Sequence, residues 1–145
     1  MASPTALICW DAADVFAIGV QLQTPGGDVH AEDEELVELD TGYAGEVLVP
    51  WRLYIELELY GWEREEDSWS VGVSVTGETF PMPLSEAVLR VPKLGAAFPV
   101  RVDTFEDNDQ FLIGRAFIRK HRLLFDGPAD RICVIPAAAT VVELP

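Results

Sequence analysis

The run Glu38-Leu39-Asp40-Thr41-Gly42-Tyr43-Ala44-Gly45-Glu46-Val47-Leu48-Val49-Pro50 sets an Asp-Thr-Gly triplet between two apolar segments. Such a triplet places a carboxylate at the end of a strand, in a sharp turn that Gly42 permits. Taken alone it also reads as an ordinary hairpin turn, because Asp and Gly are common turn residues. Its meaning depends on what surrounds it.

Outward from the triplet the chain reads as short strands separated by turns. Val15–Leu22 is rich in branched and aromatic residues and ends in the turn Thr24-Pro25-Gly26-Gly27. Leu36–Leu39 and Glu46–Val49 flank the triplet. Trp69–Val75 alternates bulky and small residues, and Thr76-Gly77-Glu78 makes a hairpin tip after it. Thr79–Val91 returns through Pro81 and Pro83, which cannot donate ladder hydrogen bonds and mark an edge. Lys93-Leu94-Gly95 is a further turn. Ala97–Phe105, Phe111–Ile113 and Leu123–Phe125 complete the strand candidates. Trp51–Tyr60 is ambiguous: Ile55, Leu57 and Leu59 alternate with Glu56 and Glu58 as in a strand, yet Pro50 could open a helix and Gly61 close it. Ala116–His121 is the other helical candidate. Many short strands with regular turns predict an all-β barrel or sandwich.

The chain has 145 residues, of which 49% are hydrophobic, and this predicts one domain over residues 1–145 with a substantial core. Acids outnumber bases 25 to 10, a net charge of −15 that repels phosphate backbones and argues against a nucleic-acid partner. Arg115, Arg119, Lys120 and Arg122 cluster, and read as a helix or turn whose cations face the acidic remainder. The uncharged run Ile132–Val142 is far shorter than the ~18 residues of a membrane helix. No secretory signal is visible and Met1 reads as a free start, so the expectation is a soluble protein of the cytoplasm with no membrane partner. Cys9 and Cys133 read as free, buried thiols in a reducing compartment, with a single bridge left open because both lie near the chain ends.

Several chemistries lack their residues. His30 adjoins an acidic loop, His121 sits among cations, and neither belongs to a set with metal-ligand spacing. Asp107-Asn108-Asp109 lacks the glycine and distal Glu of a calcium loop and reads as a polar turn. There is no Gly-x-Ser-x-Gly elbow, and the apolar surroundings of both cysteines disfavour a thiolate. No metal and no cofactor is expected.

Gly114, seventy-four residues after Asp40, lies in Phe111-Leu112-Ile113-Gly114-Arg115-Ala116-Phe117-Ile118: apolar residues, Gly, then Arg opening a short helix. With this second motif the chain resembles the retropepsin-like aspartic proteases, the one-domain relatives of pepsin. The resemblance spans roughly residues 15–135, and the run Tyr43, Ala44, Gly45 after the triplet is most similar to the prokaryotic members.

The resemblance implies a closed retropepsin-like β-barrel with one short helix after the Gly-Arg motif. It implies that Asp40 is catalytic, that the Thr41 hydroxyl bonds across a subunit boundary, and that Gly42 offers its carbonyl to substrate. It implies that Gly114 packs beneath the active-site loop and that Arg115 braces it through a carboxylate, with Glu46 the nominated partner. Thr76, Gly77 and Glu78 would form the tip of a flap over a bound peptide; the tip carries one glycine where retroviral flaps carry several. Ile132–Ile135, together with Ala6–Trp10, is nominated for the dimer-forming strands.

One triplet supplies one carboxylate, and a homodimer supplies the second, because a residue near a two-fold axis meets its own copy. Two carboxyl groups ~3 Å apart share one proton. The ionised one takes a proton from a water that attacks the scissile carbonyl, and the protonated one donates to its oxygen. The expected activity is an aspartic endopeptidase acting on a peptide or protein in extended conformation. Two other readings stand beside it: a non-catalytic peptide- or protein-binding module on the same fold, and a structural β domain in which the motifs coincide by chance.

Overall fold

In the computed structural model, which describes residues 5–12, 14–136 and 142–143, the period-two pattern of the sequence closes into a barrel. The strands are β1 (Thr5–Ala6), β2 (Ile8–Asp11), β3 (Ala17–Gln23), β4 (Glu35–Asp40), β5 (Val47–Leu48), β6 (Ser70–Val73) and β7 (Thr79–Met82). Then come β8 (Leu84–Val91), β9 (Ala96–Asp103), β10 (Leu112–Gly114), β11 (Arg122–Asp126), β12 (Arg131–Ile135) and β13 (Val142–Glu143). Helix is confined to α1 (Trp51–Glu56), α2 (Arg115–Ile118) and short 3-10 turns among the described residues.

Six strands form the closed barrel in the order β10-β4-β3-β8-β9-β5, and β10 closes it by pairing with both β4 and β5. The β10–β4 and β5–β9 pairs are parallel and the others antiparallel. In β8 the odd-numbered Ser85, Ala87, Leu89 and Val91 are buried while Arg90 is exposed, as expected of a strand with one face on a core. Val20, Leu22, Leu89, Val102 and Ile113 fill the interior. The all-β barrel expected from the sequence is thus present, in mixed form, with α2 directly after Gly114.

The ambiguous segment is helical. Pro50 opens α1, with Tyr54 N–H donating to the Pro50 carbonyl at 3.0 Å, and Glu58 ends the turn in the left-handed region at φ 54°. Helical phase buries Tyr54, whose hydroxyl donates to Glu63 at 2.8 Å, and leaves Ile55 exposed. The alternation of Ile55, Leu57 and Leu59 belongs instead to a helix followed by a 3-10 turn in which Leu59 is buried.

Strands β6 and β7 stand apart from the barrel as a two-stranded hairpin. Pro81 is tolerated because β7 pairs only with β6. Gly72 lies opposite Phe80, and a side chain there would overlap the Phe80 ring. That ring packs on Phe105 at 5.0 Å and fastens the hairpin to the barrel.

A separate sheet, β11-β12-β2, corrects two expectations. Cys9 and Cys133 face each other in register between β2 and β12 and form a disulfide, so they are not free thiols. A separation of 124 positions conceals the contact in the sequence; antiparallel pairing of the chain ends creates it. Disulfides are rare in a reducing cytosol, so this bridge argues weakly against the cytoplasmic expectation. Ile132–Ile135, nominated for pairing between two copies, lies in the central strand of the three, and its neighbours come from its own chain. Of the Ala6–Trp10 segment, Ile8–Trp10 lies in β2, at the edge of this sheet, and Ala6 in β1, which pairs in parallel with β13. No helix among the described residues is long and apolar enough to cross a membrane.

A cross-link over so long a loop stabilises mainly by restricting the unfolded chain. Reduction, or the pair Cys9→Ser with Cys133→Ser, is expected to cost about 2–5 kcal/mol in denaturant titration. A change within error would show that the sheet holds without it.

Candidate active site

The Asp-Thr-Gly loop is built on a wedge. Strand β10 runs parallel to β4, with Gly114 level with Asp40, and antiparallel to β5, with Ile113 level with Val47. It therefore separates the two strands that flank the loop. Leu112 and Ile113 are buried and hold the wedge in the core. At Gly114 the backbones meet so closely that an added Cβ would overlap the Gly45 carbonyl and lie 2.8 Å from the Tyr43 carbonyl. Gly114 thus packs directly against the turn that follows the Asp-Thr-Gly triplet.

Hydrogen bonding follows from that approach. The first N–H groups of a helix have no intrahelical partner. Here Gly114 N–H donates to Glu46 O at 2.8 Å, Arg115 N–H to Tyr43 O at 2.8 Å, and Ala116 N–H to Gly45 O at 3.2 Å. Loop carbonyls thus satisfy the entry of α2, and α2 fixes the loop.

Asp40 ends β4 half-buried, with Thr41 and Gly42 exposed beside it. The Gly42 N–H donates to Asp40 Oδ1 at 2.8 Å, and Tyr43 N–H to the Asp40 carbonyl at 3.2 Å, so the carboxylate is held by its own turn. Arg115 Nη1 donates to the Thr41 carbonyl at 3.3 Å. Its brace is therefore a carbonyl rather than the expected carboxylate. Glu46 is engaged elsewhere, with Lys120 Nζ at 3.4 Å, so part of the cationic cluster does face acid.

Asp40, Thr41, Gly42, Gly114 and Arg115 are thus brought together. Thr76, Gly77 and Glu78 form the β6–β7 tip, with Gly77 at φ +86° and Ser74 Oγ 2.9 Å from Thr76 Oγ1. No hydrogen bond or ion pair joins this tip to the Asp40 loop among the described residues.

Sequence reading missed Tyr43, Asp103 and Asn108. The Tyr43 ring covers Gly114, and its hydroxyl donates to Asp103. Burial, then the Asp103 charge, push the Tyr43 hydroxyl far above its ordinary range. Asn108, assigned to a polar turn, is buried and donates to Val49 O at 2.7 Å and Gln110 O at 3.0 Å. It shares the Val49 carbonyl with the Thr104 hydroxyl, at 2.9 Å, and the two tie the end of β5 to the β9–β10 loop. The one available signal was a polar residue at the end of an apolar alternation, Val100-Arg101-Val102-Asp103-Thr104.

The histidines are occupied. His30 Nδ1 accepts the Leu22 N–H at 2.8 Å, which leaves Nε2 to donate to Glu35 at 3.0 Å. His121 packs on Phe98 and Phe117, and burial lowers its pKa. No three His, Cys, Asp or Glu side chains converge as metal ligands among the described residues. A groove of about 420 Å³ lies between hairpin and barrel, walled by Trp51, Phe80, Pro81, Pro83 and Phe105, with Glu106 and Asp107 exposed at its rim. Asp40 is not among its walls.

Gly114→Ala is expected to cost about 1–3 kcal/mol in thermal or denaturant unfolding, since overpacking against backbone cannot relax through a rotamer. Gly127→Ala, which meets open space, is the control and should fall within about 0.5 kcal/mol of the parent. Equal effects would mean that the wedge is looser than described. No protein-family model matches the chain and no curated protein matches it.

Proposed function

We propose that the protein is an aspartic endopeptidase of retropepsin-like fold, acting as a homodimer in which each copy contributes Asp40. The observation that carries this reading is the setting of Asp40. A carboxylate at a strand end is held by the Gly42 N–H, in a loop pinned on Gly114 and Arg115, while Asp40 remains partly open to solvent. Rigid placement of a solvent-reachable carboxylate is what a water-activating site requires.

In a two-fold dimer the paired carboxyls share a proton. The ionised Asp40 draws a proton from the bound water, the water oxygen attacks the peptide carbonyl, and the other Asp40 donates to the carbonyl oxygen. Collapse of the tetrahedral intermediate breaks the C–N bond, and the amine leaves with a proton. Exposed Thr41 is available to the facing copy. The β1–β13 pair has free outer edges among the described residues, which a second copy can extend. The aromatic groove beneath the hairpin suits a bulky apolar side chain, and its acidic rim suits a cationic neighbour.

The second reading is a peptide-binding module on the same fold. It is favoured by the groove, whose walls do not include Asp40 and which could hold a peptide without cutting it.

Digestion of a mixed peptide library at pH ~3.5–7 separates the two. Cuts are expected from the wild type and not from Asp40→Asn, whose melting temperature stays close to the parent. The rate should form a bell in the acidic range and fall as both carboxyls ionise. Cuts that persist in Asp40→Asn end the proposal; no cuts from a protein shown to be dimeric select the binding module. A further expectation is enrichment of sites with a large apolar residue beside Lys or Arg. Glu106→Gln with Asp107→Asn should weaken the preference for the cation by roughly 3–10-fold in kcat/KM, the worth of rim charges.

A further inference from the structure

Beneath the Asp-Thr-Gly loop lies a carboxyl group that the proposed reaction does not use. The alternation of β9 sends Val100 and Val102 into the barrel, and places Asp103 on the outer side, where the Tyr43–Glu46 turn covers it. Asp103 is 6% exposed. Its Oδ2 accepts the Tyr43 hydroxyl, and its Oδ1 is buried with no partner. The Tyr43 hydroxyl also lies 3.2 Å from the Val47 carbonyl. Gly45 passes beneath this contact: an added Cβ would overlap the Tyr43 hydroxyl and lie 2.7 Å from Asp103 Oδ2.

We propose that Asp103 is a positioning residue for Asp40, tying the Asp-Thr-Gly loop to β9 through the Tyr43 hydroxyl in a latch whose tightness depends on the Asp103 proton. This rests on the reading of Asp40 as the catalytic group and supplies a regulation of that site. Two arrangements of the same heavy atoms, differing by one proton taken from solvent, make the latch. With Asp103 ionised, Tyr43 O–H donates to Oδ2 and a buried charge keeps one oxygen unsatisfied, which is costly. With Asp103 protonated, its O–H donates to Tyr43 Oη, and Tyr43 O–H turns to the Val47 carbonyl. Each proton then has an acceptor, no charge is buried, and the chain of bonds reaches from β9 through the loop to β5.

The charged and titratable groups facing Asp103 are Tyr43 and Glu46 of the loop and Tyr54 of α1. Glu46 is in turn paired with Lys120, and Tyr54 with Glu63. Burial raises the Asp103 pKa, the Tyr43 hydrogen bond lowers it in part, and Glu46 raises it again, for a net rise. A carboxyl raised in the folded state contributes stability that is full below its unfolded pKa of about 3.9 and is lost as pH rises through the folded value. The latch is therefore tight at acidic pH, where a shared-proton pair also works, and loosens toward neutrality.

The test is carboxyl ¹³C and amide ¹⁵N NMR of wild type, Asp103→Asn and Tyr43→Phe from pH ~3 to ~8, a span covering a raised carboxyl, with peptide cleavage measured on the same samples. In the wild type the Gly42 amide should show a transition at the Asp103 midpoint, and both variants should lose it. Tyr43→Phe should lower kcat about tenfold with KM within about twofold, and Asp103→Asn should move the alkaline limb of the rate profile upward by roughly half a pH unit or more. A Gly42 amide that ignores the Asp103 titration, or an Asp103→Asn rate profile that superimposes on the parent, overturns the proposal. The wild-type titration decides it even if a variant fails to fold. If no sample cleaves peptide, the protease reading fails, while the Gly42 response still decides whether the latch exists.

Discussion

Two stretches of backbone meet at Gly114 with no side chain between them, and the arrangement of the candidate site depends on that contact. Because β10 can slide in level with Asp40, it pairs with β4 and β5 at once and closes the barrel. The same approach aims the unsatisfied N–H groups at the start of α2 at the carbonyls of Tyr43, Gly45 and Glu46. A helix of four residues has little stability of its own. It persists here because the loop completes its hydrogen bonds, and the loop is rigid for the same reason.

A second consequence is the displacement of Tyr43. With Gly114 and Gly45 beneath it, its ring lies across both glycines and its hydroxyl reaches β9. The loop is thereby held on two sides, by backbone bonds at α2 and by side-chain bonds at Asp103. Thr104 and Asn108 extend this polar layer to the Val49 carbonyl, just before α1. Of the five buried polar side chains among the described residues, three, Asp103, Thr104 and Asn108, lie where β5 and β9 end, beside the loop. Polar burial is costly unless paired, so their clustering there is consistent with a site that must be held in one geometry.

The strands were legible wherever hydrophobic alternation and turn residues agreed. Val15–Leu22, Trp69–Val75 and Ala97–Phe105 each correspond to a strand, shifted by a residue or two. Asp40, Gly42 and Gly114 were singled out by the two motifs, and at Gly114 a close backbone approach does demand glycine. Local pattern failed at Trp51–Tyr60, where strand-like alternation overlies a helix opened by Pro50. It failed also wherever a partner lies far along the chain. The Cys9–Cys133 bridge, the Arg115–Thr41 bond, the Lys120–Glu46 pair and the Tyr43–Asp103 contact join residues 124, 74, 74 and 60 positions apart. Such pairings follow from barrel closure and leave no mark on either residue alone.

Mixing wild-type protein with Asp40→Asn at constant total concentration tests the central claim most directly. If each active unit needs an Asp40 from both copies, specific activity on a cleaved peptide falls as the square of the wild-type fraction once subunits exchange. A linear fall would mean that each chain works alone, and would contradict the paired-carboxyl account.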